Sequence, residues 1–351
     1  MKNAITNLQN TYLPYSALLQ QTSALQQQLL GAICFSAAPL ATIPPPDSAV
    51  PLMQVALQPL AASAAMCEVW QGSAPLSHGQ RGAIHYRCNE DVIFGVIALM
   101  EADFAGNTDS TPLQQATEAA YNQIGALQDE LHYPYVFRFW NYMADINGHS
   151  NGLERYRQFN LGRQHALLAQ GREVAGNVPA ACALGASSGA VSIAFLAGRV
   201  APEAIENPRQ ISAYTYPQEY GPRSPTFSRA SLVCLAEREW LFISGTASIV
   251  GHASLHPADV LAQTRETMSN IAAVLAQANR RARHGKFELA AMQYKVYVKH
   301  PDDLAQIRAE LESSIGPAFD VIYLQADVCR QELLIEIEAT ASHALATGSA
   351  A

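Results

Sequence analysis

The stretch VCRQELLIEIEATA, residues 328–341, decides how the chain is read. With the period of two that a strand imposes, Leu333, Ile335, Ile337 and Ala339 share one face, and Leu334, Glu336, Glu338 and Thr340 share the other. The first face belongs to a core. The second carries two carboxylates in an aliphatic strand, so it is either a solvated outer face or the floor of a site. An enclosed carboxylic acid there would be a proton donor.

Upstream, MQYKVYVKH (292–300) alternates as a strand, and PDDLAQIRAELESSI (301–315) opens with Pro and two acids as a helix does. DVIYLQADV (320–328) is strand again. After Pro257, residues Val260, Leu261, Thr264, Met268, Ile271, Leu275 and Ala278 fall on one helical face, which predicts a helix lying on a sheet. The order is β-α-β-α-β-β. The first half repeats it: DVIFGVIALMEAD (91–103) as a strand pair or hairpin, helices over 112–133 and 152–170, a strand over 135–147 and further strands over 183–199. Thr117 aligns with Thr264, and Pro-Ala pairs at Pro179 and Pro317 precede the last strands of each half. The expectation is an α+β protein of two domains, 1–207 and 208–351, each a mixed sheet with helices on one face and with a site between the halves. The Gln-rich start, the Pro-rich segment around Pro44, Pro45 and Pro46, and the tail ATGSAA are expected as loops and frayed ends.

The 351 residues suffice for two cores, and 49% apolar with 15% charged residues describe a globular chain. A formal charge of −8 and a pI near 5.7, without a basic stripe, argue against nucleic acid as a partner. No apolar run is long enough to span a membrane and no signal peptide is visible, so a cytoplasmic location is expected. The six cysteines show no pairing or ligand spacing, so no metal site is expected. Whether the chain is a monomer or a small homo-oligomer is left open.

Residues 239–341, with ISGTASI, ADVLAQTRETMSNIAAVLAQA, KVYVKHPDDLAQI and LIEIEATA, resemble the Rid (YjgF) fold. Three longer motifs are similar to those of the chorismatases, two-domain relatives of that fold. They are FRFWNYMADINGHSNGLERYRQFNLGR (137–163), NPRQISAYTYPQEYGPRSPTFSRA (207–230) and ADVCRQELLIEIEA (326–339). The resemblance implies cofactor-free cleavage of chorismate, in which a glutamic acid on the last strand protonates the enolpyruvyl methylene and pyruvate leaves. By position that acid is Glu336, with Glu338 as the competitor. A cysteine seven residues earlier, here Cys329, implies the type that makes 3-hydroxybenzoate, with 4-hydroxybenzoate as a second product left open.

Such a donor must be protonated near neutral pH, although an ordinary Glu has a pKa of about 4.3; burial and a dianionic substrate would both raise it. The two substrate carboxylates call for guanidinium forks and phenols. Arg163, Arg223, Arg155 and Arg157, with Tyr156, Tyr214 and Tyr216, are the candidates, and Lys299 is a further cation. Arg163 and Arg223, beside Gly and Pro, rank first. Residues 244–248, SGTAS, offer small side chains near a ligand. Two other functions stand beside this one: a Rid-type imine or enamine hydrolase, disfavoured by Phe319 where that type carries Arg, and a non-catalytic sensor of small aromatic acids.

Overall fold

The computed structural model describes residues 8–345 other than 21–22, 41–49, 63, 74, 105–109 and 236. The Pro-rich segment and the ATGSAA tail lie outside the described residues. The Gln-rich start is not a loop where it is described: strand β1 (Gln9–Pro14) and a helical turn at Ser23–Gln28 lead into β2 (Leu29–Phe35). β3 (Leu52–Val55), β4 (Gln58–Pro59) and β5 (Met66–Gln71) follow. One sheet has the order β1-β5-β2-β3, antiparallel but for the β2–β3 pair.

A second sheet contains β6 (Ser77–Arg81), β7 (Ile84–Cys88), β8 (Val92–Leu99), β9 (Tyr135–Ala144), β10 (Ala180–Ala186) and β11 (Val191–Gly198), with helices α1 (Pro112–Leu131) and α2 (Arg155–Ala169) on one face. A third contains β12 (Glu203–Ile205), β13 (Ala230–Leu235), β14 (Arg238–Thr246), β15 (Gln293–Val298), β16 (Asp320–Gln325) and β17 (Ile335–Ala344), with β4 at its far edge. It is covered by α3 (Val260–Arg281) and α4 (Leu304–Ile315). The orders β7-β8-β11-β9-β10 and β13-β14-β17-β15-β16 are the same, each antiparallel until a final parallel pair. The repeat read from the two halves is therefore present in the strand pairing. Thr117 and Thr264 are both buried, each bonding the carbonyl four residues back, at 2.8 and 2.7 Å.

The strand arrangement departs from the sequence reading in three details. The first sheet reproduces the last four strands of the plan in shortened form, β1, β5, β2 and β3 standing where β14, β17, β15 and β16 stand, so the plan occurs three times and not twice. Its short strands and, among the described residues, its lack of long helices hide it from a search for helix-strand periodicity. Residues 91–103 are not a hairpin: β8 is one strand ending in a 3-10 turn at Glu101–Phe104, and its hairpin partner is β7 upstream. The chain enters the third sheet before residue 207, because β12 pairs with β13, while β4 pairs with Leu324 and Gln325 from the opposite end.

The helices are stopped and started locally. Thr111 accepts from Gln114 N at 3.2 Å ahead of Pro112, and Asp259 accepts from Ala262 N at 2.9 Å. Ile335, Ile337 and Ala339 pack beneath α3 and α4 with Ile271 and Val274, the core face expected of β17. Burying each such Ile or Val contributes roughly 1.5–3 kcal/mol. Leu333 does not share that face: β17 begins at Ile335, so the alternation stops there, and Leu333 packs with Ala247, Ile249 and Val328. The opposite face of β17 looks into a central cluster fed by all three sheets, including Phe35, Trp70, Phe94, Trp140, Phe242 and Tyr297. Phe319, the residue that weighs against an imine hydrolase, packs its ring against Tyr294 at 5.6 Å. Among the described residues no helix is long and apolar enough to cross a membrane, and no cluster of His, Cys, Asp and Glu could hold a metal ion.

Candidate active site

Glu336 and Glu338 occupy the inner face of β17, at 4% and 5% exposure, so the face is neither solvated nor an edge. Their neighbour β14 shifts register between Ile243 and Thr246, a bulge that places Ser244 and Gly245 beside the two acids. Gly245 has no Cβ, and the space that a Cβ would need is filled by Glu336 Oε1. The Ile243 carbonyl, next to the bulge, accepts from Arg138 Nη1 at 2.9 Å. Glu336 thereby lines a cavity of about 310 Å³ between the second and third sheets, within the roughly 300–1,000 Å³ usual for small-molecule sites.

The two acids have opposite environments although they stand one pleat apart. Glu338 accepts from Arg138 on β9, from Lys295 opposite it on β15, and from Trp140 Nε1 at 3.2 Å. Burial pushes its pKa up, but Lys295 and then Arg138 outweigh that and hold it at about 2. Among the described residues no side chain hydrogen-bonds the Glu336 carboxyl, which stands opposite Tyr297 on β15. Burial first, then the Glu338 charge, raise Glu336 to about 8 against the opposing pull of Arg138. Glu338 is an anion and Glu336 a neutral acid at neutral pH. Only the latter opens into the cavity.

The cavity also carries cations. Arg163, on α2, and Arg229, immediately before β13, are buried, and the Nε of each has no partner among the described residues. Arg163 is steadied by Asn160 at 2.9 Å and by the Phe159 ring; Arg229 by Tyr216 Oη and the Ile211 carbonyl, both at 2.8 Å. α2 brings Arg163 in because Gly162 lets it press on α1, where a Cβ would meet the Gln114 carbonyl. Arg330 lies over the rings of Tyr220 at 4.0 Å and Tyr216 at 5.4 Å. Cys329 stands beside it in the loop before β17, its thiol pushed up to about 12 by burial and then by Glu336, and so uncharged. Burial likewise raises the Tyr156 phenol.

Residues 68–197 match the family described as chorismatase FkbO/Hyg5-like, N-terminal. Over 283 residues the chain is 37% identical to a 3-hydroxybenzoate synthase of Streptomyces hygroscopicus, covering 77% of this chain and 80% of that one. The chain belongs to the chorismatase family. A chorismatase of Streptomyces rapamycinicus is 37% identical over 279 residues, covering 77% and 80% of the two chains. A chorismatase crystal structure superposes with a TM-score of 0.85 at 30% identity, covering 96% of this chain and 99% of that one.

Of the residues expected in a chorismatase site, the fold gathers Glu336, Cys329, Arg163, Arg157, Tyr156 and Tyr216 around one cavity. It leaves four outside. Arg155 spends its fork on Glu101 and its Nε on the Ala144 carbonyl at 3.0 Å. Arg223 is exposed, and Tyr214 is half-buried away from the cavity. Lys299 braces the Gln331 carbonyl at 2.7 Å and faces Asp327 at 3.6 Å, supporting the loop that carries Cys329. Placement beside Gly or Pro in a loop was a poor guide, since Arg163 is inside a helix and Arg223 points to solvent. Cys329 is in a loop and not on a strand, because β16 ends at Gln325 and β17 begins only at Ile335. Of the SGTAS residues, Gly245 and Ala247 line the cavity, and Ser244 accepts from Ala181 N at 2.9 Å to tie β14 to β10. Arg229, Tyr220 and Arg330 were not anticipated. Arg229 had a signal, a charged residue just before a strand of uncharged, mostly buried residues.

Proposed function

We infer that the chain cleaves the enolpyruvyl ether of chorismate, giving pyruvate and 3-hydroxybenzoate. The observation that carries this is one cavity holding a neutral carboxylic acid, Glu336, together with two buried arginines whose Nε–H groups have no partner among the described residues. Chorismate presents the matching groups: two carboxylates and a weakly basic enol ether carbon.

Arg163 and Arg229 receive the two carboxylates, each adding a charge-assisted hydrogen bond to a group already desolvated by the protein. Ala247, Ile249 and Phe227 offer the ring an apolar surface. Glu336 then gives its proton to the methylene carbon, and the oxocarbenium ion that forms lies beside the carboxylate left behind. A neutral acid in an apolar wall is poised for this: burial keeps the proton on until substrate is bound, and the carboxylate formed on donation is then stabilised as an ion pair with the developing cation. The products contain every atom of chorismate, and two carboxylates enter and two leave. No water is taken up overall, and the proton delivered by Glu336 is recovered as the ring aromatises.

Cys329, an uncharged thiol on the cavity wall, shapes the space beside the ring and steers the intermediate toward rearrangement and away from hydrolysis. It takes no covalent part. The division at residue 207 has a functional sense in this reading: the chain before it supplies Arg163 and Tyr156, and the chain after it supplies Glu336, Arg229 and Cys329. The test is to incubate purified protein with chorismate, follow pyruvate in a coupled assay and separate the aromatic products. Wild type releases pyruvate, and Glu336→Gln loses about 10²–10⁴-fold in rate. Release of no pyruvate by wild type overturns the reading.

A further inference from the structure

The centre of the molecule holds a group of buried charges drawn from all three sheets. Glu68 on β5 and Glu338 on β17 both bond the Lys295 ammonium of β15, and Arg138 of β9 bonds Glu338. Glu68 accepts further from Trp70 Nε1 and Asn10 Nδ2, each at 3.2 Å. Lys295 is fully enclosed, facing the rings of Phe35, Trp140 and Tyr297 at 5.3, 5.8 and 6.0 Å. Two cations therefore meet two carboxylates, and the set is neutral. Glu336 is a third buried carboxyl beside this set, and among the described residues it forms no ion pair.

Among the described residues, the charged groups facing Glu336 are engaged elsewhere or carry no positive charge. On its own strand stands Glu338, and on β15 Tyr297 and the already engaged Lys295. From β9 comes Arg138, bound to Glu338 and the Ile243 carbonyl, and from β10 the neutral thiol of Cys182, which burial pushes up. β14 presents Ser244 and Gly245, α2 presents Tyr156, and the loop before β17 presents Cys329. Arg163 and Arg229 line the same cavity, and Arg229 also faces the Glu206 carboxyl.

We propose that Glu68 and Glu338 are positioning residues for the reaction: by neutralising Lys295 and Arg138 in the protein centre they leave Glu336 without a counter-ion and so keep its proton on. Glu68 does this from another sheet without lining the cavity. The proposal rests on the reading of Glu336 as the donor. Removing one carboxylate frees a cationic charge to stabilise the Glu336 anion, and removing a cation with it restores the balance.

The experiment is a pH profile of kcat/KM for pyruvate release from chorismate, using the full chain as wild type, E68Q, E338Q, the balanced pair E68Q/K295Q, and E336Q. E68Q and E338Q are expected to keep the low-pH plateau within a few-fold while the alkaline midpoint falls by about one pH unit or more. E68Q/K295Q is expected to return the midpoint toward that of wild type. A merely structural role predicts the opposite pattern: a lowered plateau with an unmoved midpoint, worse in the double variant, and that result overturns the proposal. A measurement on wild type stands beside these in case a variant fails to fold. Difference infrared spectroscopy against E336Q should show a protonated carboxyl at neutral pH, and finding only a carboxylate band overturns the proposal independently. Activity in E336Q equal to wild type would instead remove the donor itself, an outcome separate from an unmoved midpoint.

Discussion

Gly245 and Glu336 face each other across the β14–β17 ladder so closely that a Cβ on residue 245 would collide with the Glu336 carboxyl. On the other side such a Cβ would sit 3.2 Å from Cys182 Cβ, so the strain falls mainly on the end of the Glu336 side chain.

Gly245→Ala is therefore expected to displace the donor and leave the fold in place. The backbone at 245 is not in the left-handed region, so Ala meets no conformational obstacle. A displacement of about 1 Å at the reacting group can cost on the order of 10²-fold in rate. Steady-state kinetics should show that loss in kcat with KM little changed, and a thermal melt should show a midpoint near that of wild type. A large fall in melting temperature with normal kcat would sink this account of Gly245.

The pH dependence follows from the Glu336 proton. The acid form is the active one, and its pKa stands raised to about 8, so kcat/KM should be level on the acid side of that value and fall as pH rises through it. Beyond the midpoint the fall should approach tenfold per pH unit. A rate that climbs with pH over the same interval would mean that the ionised carboxylate, and not the acid, does the chemistry.

Arg163→Lys and Arg229→Lys keep a positive charge but lose the planar fork. Each is expected to raise KM for chorismate by about tenfold or more, with a smaller change in kcat. Arg223→Lys, at an exposed position outside the cavity, should leave both constants within about twofold. Equal effects at 223 and 229 would contradict the assignment of substrate contacts.

Cys329→Ala should leave pyruvate release within a few-fold of wild type, since the proton transfer is made by Glu336. The aromatic products are where the change is expected, with a lower share of 3-hydroxybenzoate in a chromatographic separation. Loss of pyruvate formation in this variant, with the protein still folded, would assign the thiol a part in the first step.

The alternation of residues 335–340 and the three-to-four spacing of α3 are local patterns. Local patterns suffice to say that these segments are a strand and a helix and which faces are buried. The repeat was legible for the same reason in the two units that have long helices. It was not legible in the first sheet, whose strands carry the pairing but little periodic length.

Nothing in LLIEIEATA tells Glu336 from Glu338, because the difference between them comes from elsewhere in the chain. Arg138 reaches Glu338 across 200 residues, and Lys295 reaches Glu68 across 227. Arg163 and Arg223 likewise rank together on paper until the cavity receives one and solvent the other. Secondary structure and the inward face of the last strand are set by residues near one another in the chain. The protonation of the donor and the choice of substrate-facing arginines are set by burial and Coulomb interactions in a low-dielectric interior, and these exist only once the three sheets have come together.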